Sequence, residues 1–281
     1  MPSPTYKRHR FLRALLKIIA LLVVGYLLLI LVIRPSNNRD WSPDTEHTAN
    51  AVFIVDSVQI KNVRNTHYRS TTDYDVQWEE RNYDLDKLES VWFIVEPFSD
   101  WRGPAHTFLS FGFSDGEYIA ISVEIRKEKG ESFSPLGGLL RQYELIYIVG
   151  DERDLIGLRA NYRHDDVYLY KMKATKEQVR ELFVSMLKRT NRVAQHPEFY
   201  NTLTNTCTTN IVDHIDVIAP GRIPFSYKTL LPAYSDELAF DLDLIDTSLP
   251  SDQYRAAHQI NEQAKLHAGN ADFSEAIRKN N

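Results

Sequence analysis

The clearest pattern along the chain is an uninterrupted apolar run near its N-terminus. Residues 18–33, IIALLVVGYLLLILVI, carry no charge and follow a basic stretch, YKRHRFLRALLK. The run is slightly short of the roughly 20 residues that a bilayer requires, but apolar residues from position 11 onwards extend it. We therefore predict one transmembrane helix over residues 11–33. The positive-inside rule puts the basic residues 1–10 in the cytoplasm.

A cleaved signal peptide is the alternative interpretation of this pattern. No small-x-small motif follows Ile33, where the chain continues RPSNNRDW, so an uncleaved anchor is favoured. Residues 34–48 are polar, contain two prolines and predict a linker. We expect the remainder outside the cytoplasm, with a folded domain over residues 49–248. The polar residues 249–281 are expected to form an extension, either a solvated helix or a loose tail.

Segments rich in β-branched and aromatic residues predict an antiparallel sheet that packs on helices, an α+β fold. Apolar residues at helical spacing, after a Thr175–Gln178 capping box, predict a long helix whose apolar stripe faces the core. A second helix is expected to begin near Cys207. The predicted strands are residues 51–60, 74–85, 90–98, 106–113, 117–125, 143–150 and 166–172, and the predicted helices are residues 151–162, 175–193 and 207–218.

The strongest hairpin pattern is HTFLSFGFSDGEYIAISVEI, which begins at His106. If residues 114–116 form a three-residue loop with Gly116 in the left-handed conformation, His106 faces Glu124 across the hairpin. A two-residue Asp115-Gly116 turn would pair His106 with Ile125 and turn Glu124 to the other face. We favour the three-residue loop.

Composition narrows the classes of function. The chain has 281 residues, of which 43% are hydrophobic, which is enough for a sizeable core. A net charge of -5 and the absence of a basic patch with interleaved aromatics argue against nucleic-acid binding. One cysteine excludes an intrachain disulfide and a cysteine-based zinc site. No metal-ligand pair or cofactor motif is found, so no cofactor is expected.

The lone Cys207 is the candidate nucleophile. Asn205 is a suitable N-cap residue, and it would place Cys207 in the first helical turn, where backbone N–H groups and the helix dipole favour an anion. A thiol that attacks a carbonyl also needs a base. His106 is the candidate base, and Glu124 would orient it as the third member of a triad. His196 and His214 are alternative partners, and a buried, inert cysteine is the plain alternative.

Three segments together resemble one family. They are AHTFLSFGFSDGEYIAISVEIRKEKGE, YELIYIVGDERDLIGLR and PEFYNTLTNTCTTNI. They are similar to the Lnb N-terminal periplasmic domain family, and the resemblance covers residues 34–232. The family is grouped with papain-like, NlpC-type cysteine hydrolases and transferases. The resemblance implies a circularly permuted papain-like fold with the chain order His, polar residue, Cys, which His106, Glu124 and Cys207 match.

The resemblance also implies a chemistry. The family's namesake is a lipoprotein acyltransferase, so we expect a thiol acyltransferase or acyl hydrolase at the inner membrane that acts on lipid or lipoprotein acyl groups. Tyr200, Asn201 and Asn205 are candidate pocket-wall residues. The alternatives are a cell-wall amidase or peptidase of the NlpC type and a non-catalytic binding module. An apolar pocket would favour acyl chains, and an open polar groove would favour peptides.

Overall fold

A computed structural model describes residues 4–99 and 101–279. The fold is mixed α+β, with one N-terminal apolar helix and an open sheet. The strands are β1 (Asn50–Ile54), β2 (Ser57–Arg64), β3 (His67–Tyr68), β4 (Tyr74–Asp75), β5 (Trp78–Asp84), β6 (Leu88–Pro97), β7 (Ala105–Phe113), β8 (Tyr118–Arg126), β9 (Glu144–Gly150) and β10 (Tyr168–Lys171). The helices are α1 (Pro4–Val32), α2 (Pro135–Leu139), α3 (Glu152–Gly157), α4 (Lys176–Gln195), α5 (Cys207–Ile218), α6 (Tyr227–Leu230), α7 (Ser235–Asp241), α8 (Tyr254–Ala257), α9 (Asn261–Leu266) and α10 (Phe273–Ala276).

Helix α1 contains the predicted apolar segment. Within it, Phe11–Val32 is long and apolar enough to cross a membrane, with a mean hydropathy of 2.9 and no part buried against the rest of the chain. Length and composition identify this segment, and a signal sequence has the same properties. The contacts of α1 with the domain, described below, bear on the choice between the two.

The main sheet has the strand order β1-β2-β9-β8-β7-β6-β10, and β5 pairs with β2. Its pairs are antiparallel except for the single parallel pairing of β2 with β9. Both faces of its centre are covered. Helices α4 and α5 pack on one face, called the α4/α5 face, with Leu109 and Phe111 in its core. Helix α3 and the C-terminal helices pack on the other, called the α3 face, with Phe108 in its core.

The hairpin of β7 and β8 has the predicted register. Phe108 pairs with Ser122, and the N–H of Phe113 donates to the carbonyl of Glu117 at 2.9 Å. Gly116 has a φ of 85°, the left-handed conformation that the three-residue loop requires. The three-residue loop is therefore confirmed, and His106 and Glu124 share one face of the sheet.

Several local predictions hold and two predicted strands divide. One of them, over residues 74–85, forms β4 and β5, which belong to different sheets. The Thr175–Gln178 capping box of α4 is present, and Asp151 caps α3 by accepting from the N–H of Arg153. The predicted strand over residues 51–60 is instead the hairpin of β1 and β2. It turns at Val55, whose φ of 53° breaks the extended conformation.

The segments that flank the predicted domain are not free chain. Trp41, from the predicted linker, is 6% exposed and lies under the guanidinium of Arg126, 4.2 Å from the ring centroid. Beyond residue 248, the structure differs from both a solvated helix and a loose tail. Short helices bury Ile260 and Phe273 on the α3 face, and Arg278 forms an ion pair with Glu152. The described residues of 34–99 and 101–279 therefore pack around one main sheet.

Candidate functional site

Cys207 is the first residue of α5, as the sequence predicted, but the cap lies one residue later than expected. Thr206 is the N-cap: its hydroxyl accepts from the N–H of Thr209, and the Thr209 side chain bonds back to the Thr206 backbone. Asn205 instead donates to the carbonyl of Phe199 and accepts from the side chain of Asn210. The Asn205 cap is therefore wrong, because Thr206 offers a complete reciprocal box.

The thiol of Cys207 is 5% exposed and faces the α4/α5 side of the sheet. Its sulfur lies 3.8 Å from the hydroxyl of Thr208, which is 3.0 Å from the hydroxyl of Thr107 on β7. Tyr200 lies close by. Burial, with a smaller contribution from Cys207, raises the pKa of the Tyr200 phenol. Cys207 is thus held between the start of α5, strand β7 and one aromatic side chain.

His106 belongs to a polar relay on the α3 face. Its Nε2 is 2.7 Å from the hydroxyl of Ser122, which donates to Oε1 of Glu124 at 2.8 Å. The direct distance from Nε2 to Oε1 is 3.9 Å. Because Ser122 donates its only proton to the carboxylate, it must accept from His106 Nε2–H. The predicted carboxylate partner is therefore present, but it acts through a serine, and Nδ1 of His106 is the acceptor nitrogen.

Two arginines and a second carboxylate set the charge of this relay. Arg159 donates to Glu124 at 3.0 Å and to Glu96 at 2.5 Å. Burial alone would raise the pKa of Glu124, but Arg159 and Arg64 outweigh it and hold that pKa well below its usual range. Burial and the charge of Arg159 lower the pKa of His106 to about 4. At neutral pH the relay therefore holds a neutral imidazole beside an ionised carboxylate.

The thiol and the imidazole do not meet. Successive side chains of a strand point to opposite faces, and Thr107, which contacts the start of α5, is the neighbour of His106 in β7. His106 instead stacks with Phe108 on the α3 face, with ring centroids 5.6 Å apart. The structure therefore does not bring Cys207 and His106 together as predicted. The two side chains lie on opposite faces of one sheet, and β7, which carries His106, is paired on both edges.

The alternative histidines, His214 and His196, are not placed as a base for Cys207 either. His214 is buried on α5, two turns after Cys207, and bonds to the Tyr147 and Ser185 hydroxyls. Burial, with the charges of Arg189 and Arg192, lowers its pKa to about 4. His196 is exposed just beyond α4. In the described part of the chain, no group of three His, Cys, Asp or Glu side chains could hold a metal ion.

The predicted pocket-wall residues have different positions. Tyr200 lies near Cys207. Asn201 accepts from the N–H groups of Leu203 and Thr204 and so shapes the preceding turn. Asn205 holds that turn to α5. None of these three predicted pocket-wall residues lines the cavity described next.

The sequence analysis missed an apolar cavity of about 440 Å³ whose wall includes Thr208, the residue after Cys207. Thr208, whose hydroxyl touches the sulfur, is part of its wall. From there the wall follows one stripe of α5, and Lys173 and Asp243 form an ion pair at its exposed rim. A stripe of isoleucines at helical spacing was the available signal. The principal apolar walls are Ile211, Ile215, Ile218, Phe93, Leu182 and Leu238.

Comparison with known proteins gives one match. The model of a family described as the Lnb N-terminal periplasmic domain matches residues 74–233, which is more than half of the chain. That stretch contains His106, Glu124 and Cys207 and most of the cavity wall. No curated protein and no solved structure matched the chain.

Proposed function

Because the chain belongs to the Lnb N-terminal periplasmic domain family, we propose that it binds an acyl chain of a lipid or lipoprotein and accepts the acyl group on Cys207. This activity is that of a thiol acyltransferase or an acyl hydrolase. One observation carries this proposal: the apolar cavity starts at the residue whose hydroxyl touches the Cys207 sulfur.

The cavity suits an acyl chain in size and lining. Its volume of about 440 Å³ lies in the usual range of roughly 300–1,000 Å³ for small-molecule sites. Its wall runs along α5 from Thr208 to Ala219, a rise of about 16 Å at 1.5 Å per residue. An extended chain laid along this stripe would bring its carbonyl end beside Cys207. A peptide, with polar groups at every residue, would leave those groups unpaired there. The lining therefore favours the acyl alternative over the NlpC-type amidase.

The proposed step is attack of the Cys207 sulfur on an ester carbonyl. The sulfur–carbon bond forms and the ester carbon–oxygen bond breaks, and the leaving alcohol oxygen itself takes the thiol proton, since His106 and His214 are committed to other partners. Water or an acceptor hydroxyl or amine then takes the acyl group from the thioester and returns the proton to sulfur. The N–H of Thr209 is used by the Thr206 cap, but the backbone N–H groups of Cys207 and Thr208 precede the first helical bond and can hold the developing oxyanion.

His106 and Glu124 enter this proposal differently from the predicted triad. A permuted papain-like enzyme requires the imidazole within hydrogen-bond reach of the thiol. Here the imidazole is committed to Ser122 on the opposite face. In our proposal the relay of His106, Ser122 and Glu124 stabilises the sheet beneath Cys207 and does not remove its proton.

The separation of the His106 imidazole from the Cys207 thiol also favours a second, non-catalytic function. Without a base beside Cys207, the domain can bind acyl chains and present them to another protein with no covalent step. This non-catalytic module shares the cavity and the membrane anchor with the first proposal. Formation of a thioester distinguishes the two.

We also propose that α1 is retained as a single-pass anchor in the inner membrane, with its N-terminus in the cytoplasm. Its basic residues precede the apolar segment, as the positive-inside rule requires. Arg141 of the domain donates to the carbonyls of Ile30 and Ile33 at 3.2 and 3.4 Å. These contacts favour an anchor that stays attached over a cleaved leader, and they keep the cavity near lipid substrates.

The test uses the full chain in detergent micelles and an alkyne-tagged palmitoyl ester of p-nitrophenol. We expect a hydroxylamine-sensitive adduct at Cys207 by mass spectrometry and none in Cys207→Ser. Ile215→Trp fills the cavity and should reduce labelling at least tenfold. Val217→Trp is the matched control, because Val217 is on the same helix, 71% exposed and outside the cavity wall.

The outcomes separate the candidates. Labelling that Ile215→Trp reduces and Val217→Trp does not would support acyl transfer. Saturable binding of palmitate that Ile215→Trp abolishes, without any adduct, would support the non-catalytic module. Neither binding nor labelling would refute both.

A further inference from the structure

An uncharged ledge projects from the domain beside α1. It consists of residues 133–141, FSPLGGLLR, which include helix α2 and carry no charge before Arg141. Leu136 is 62% exposed and Leu140 is 42% exposed. Phe133 and Leu203 add further exposed apolar surface at the same place, since the adjacent Thr202 bonds to the carbonyl of Pro135. Clustered apolar side chains of this kind mark an interaction surface.

The ledge contacts α1 at a position inside the apolar segment. The hydroxyl of Tyr26 donates to the carbonyl of Leu139 at 3.3 Å. Tyr26 precedes the end of the segment, Val32, by six residues, which is about 9 Å along a helix axis. If Phe11–Val32 crosses the bilayer, the ledge therefore reaches below the level at which the helix leaves the membrane.

The polar groups at this depth are paired. Arg141 donates to the carbonyls of Ile30 and Ile33, which belong to the last turn of α1 and lack helical partners. A cation at a helix C-terminus also interacts favourably with the helix dipole. The only charge of the ledge is therefore directed at α1, away from the exposed leucines.

Several backbone groups of the ledge are paired within the domain, which lowers the cost of placing them in lipid. The N–H groups of Gly138 and Leu140 donate to the carbonyls of Ser134 and Leu136 at 3.1 and 3.0 Å. The carbonyl of Gly137 accepts from Gln142 at 3.0 Å, and that of Pro135 accepts from Thr202 at 2.7 Å. A solvated loop has no need for this degree of pairing.

We propose that the ledge inserts into the bilayer leaflet on the domain's side of the membrane, as a second membrane contact beside α1. The occupant of its apolar surface is the boundary between lipid headgroups and acyl chains, where amphipathic elements bury to about 5–10 Å. Continuity with the anchor distinguishes it from a site for a soluble partner. The proposal concerns membrane attachment and does not depend on chemistry at Cys207.

The test places a nitroxide spin label on the full chain in vesicles of phosphatidylethanolamine and phosphatidylglycerol. Since Cys207 is the only cysteine, Leu136→Cys in a Cys207→Ser background gives one labelling site. Val55→Cys is the control, at an exposed apolar residue in the β1–β2 turn. Val55 lies far from the anchor. Its neighbour Asp56 pairs with Arg180 on α4, whereas Asn37, near the anchor, binds the carbonyl of Ala194 on the same helix. Arg180 and Ala194 are fourteen residues apart, which is about 21 Å along the helix axis.

We expect the label at Leu136 to collide with oxygen more than with a water-soluble nickel chelate, and the label at Val55 to show the reverse. Leu140→Cys repeats the measurement in case Leu136→Cys fails to fold. Equal accessibility to the nickel chelate at both ledge positions and at Val55 would overturn the proposal. Dipolar broadening that disappears when labelled chains are diluted with unlabelled ones would also overturn it, since a second copy would then cover the ledge.

Discussion

Replacement of His106 tests the separation of the thiol and the imidazole most directly. His106→Ala removes the partner of Ser122 and the ring that stacks on Phe108, while His106→Gln keeps an N–H donor for Ser122. If His106 were the base for Cys207, both substitutions would slow acylation by roughly 10²- to 10⁴-fold, which is the usual contribution of general-base catalysis. On opposite faces of the sheet, neither should slow it by more than about threefold, far below that range.

In contrast to the rate of acylation, the stability of the fold should depend clearly on His106. The buried Ser122 hydroxyl loses one hydrogen bond in His106→Ala, which typically costs about 1 kcal/mol, and an imperfectly repacked site adds to it. We therefore expect a loss of about 1–3 kcal/mol in the free energy of unfolding for His106→Ala. His106→Gln should recover part of that loss, because the donor to Ser122 is retained.

The assay measures both quantities on the full chain in detergent micelles. The rate of adduct formation at Cys207 is followed by mass spectrometry, and unfolding is followed by urea titration. Cys207→Ser supplies the background. If both His106 variants keep the fold but lose acylation a hundredfold or more, the imidazole acts on the thiol and our account of the two faces is refuted.

Two further predictions concern the flanking segment and acid sensitivity. Trp41→Ala should lower the free energy of unfolding by about 3–5 kcal/mol in urea titration, as for other buried large aromatic residues. The control Trp101→Ala, at a residue 60% exposed, should leave it nearly unchanged. Equal and negligible losses for the two variants would mean that residues 34–48 are a free linker. His106 and His214 have folded pKa values of about 4, below the unfolded value of about 6.5. The unfolded chain therefore binds more protons between these values, and stability should fall as the pH is lowered from about 6.5 to 4, by up to roughly 3 kcal/mol per histidine. His214→Gln should remove its share of this slope, and an unchanged slope would contradict the assignment.

The hairpin register could be predicted because its determinants are local. Gly116 supplies the left-handed residue, and the loop length then sets each pairing along β7 and β8. The α4 capping box and the N-cap of α3 are local in the same sense. The cap of α5 was misplaced by one residue because Asn205 and Thr206 are both good caps. Only the reciprocal bond from Thr209 decides between them.

The face on which α5 packs could not be predicted in this way. Strand β7 is covered on both sides, so it carries apolar residues on both faces and its sequence does not identify one face as core. Whether Cys207 lies over Thr107 or over His106 depends on how the chain between β8 and α5 crosses the sheet. That connection is long-range. The C-terminal helices were missed for a related reason, since only a few apolar residues such as Ile260 and Phe273 secure a mostly polar segment.

The packed flanking segment changes what the anchor does. A flexible linker would let the domain sample many heights above the membrane, whereas Trp41 and Arg126 hold residues 34–48 against the domain and Arg141 holds the end of α1. If α1 spans the membrane as proposed, the ledge is therefore held at one depth. A Cβ on Gly138 would lie 2.3 Å from the Thr202 hydroxyl and 3.2 Å from the Tyr200 ring, so the ledge packs directly on the aromatic beside Cys207. If the ledge inserts into lipid as proposed, this contact also sets how far the Cys207 thiol lies from the acyl chains of the leaflet.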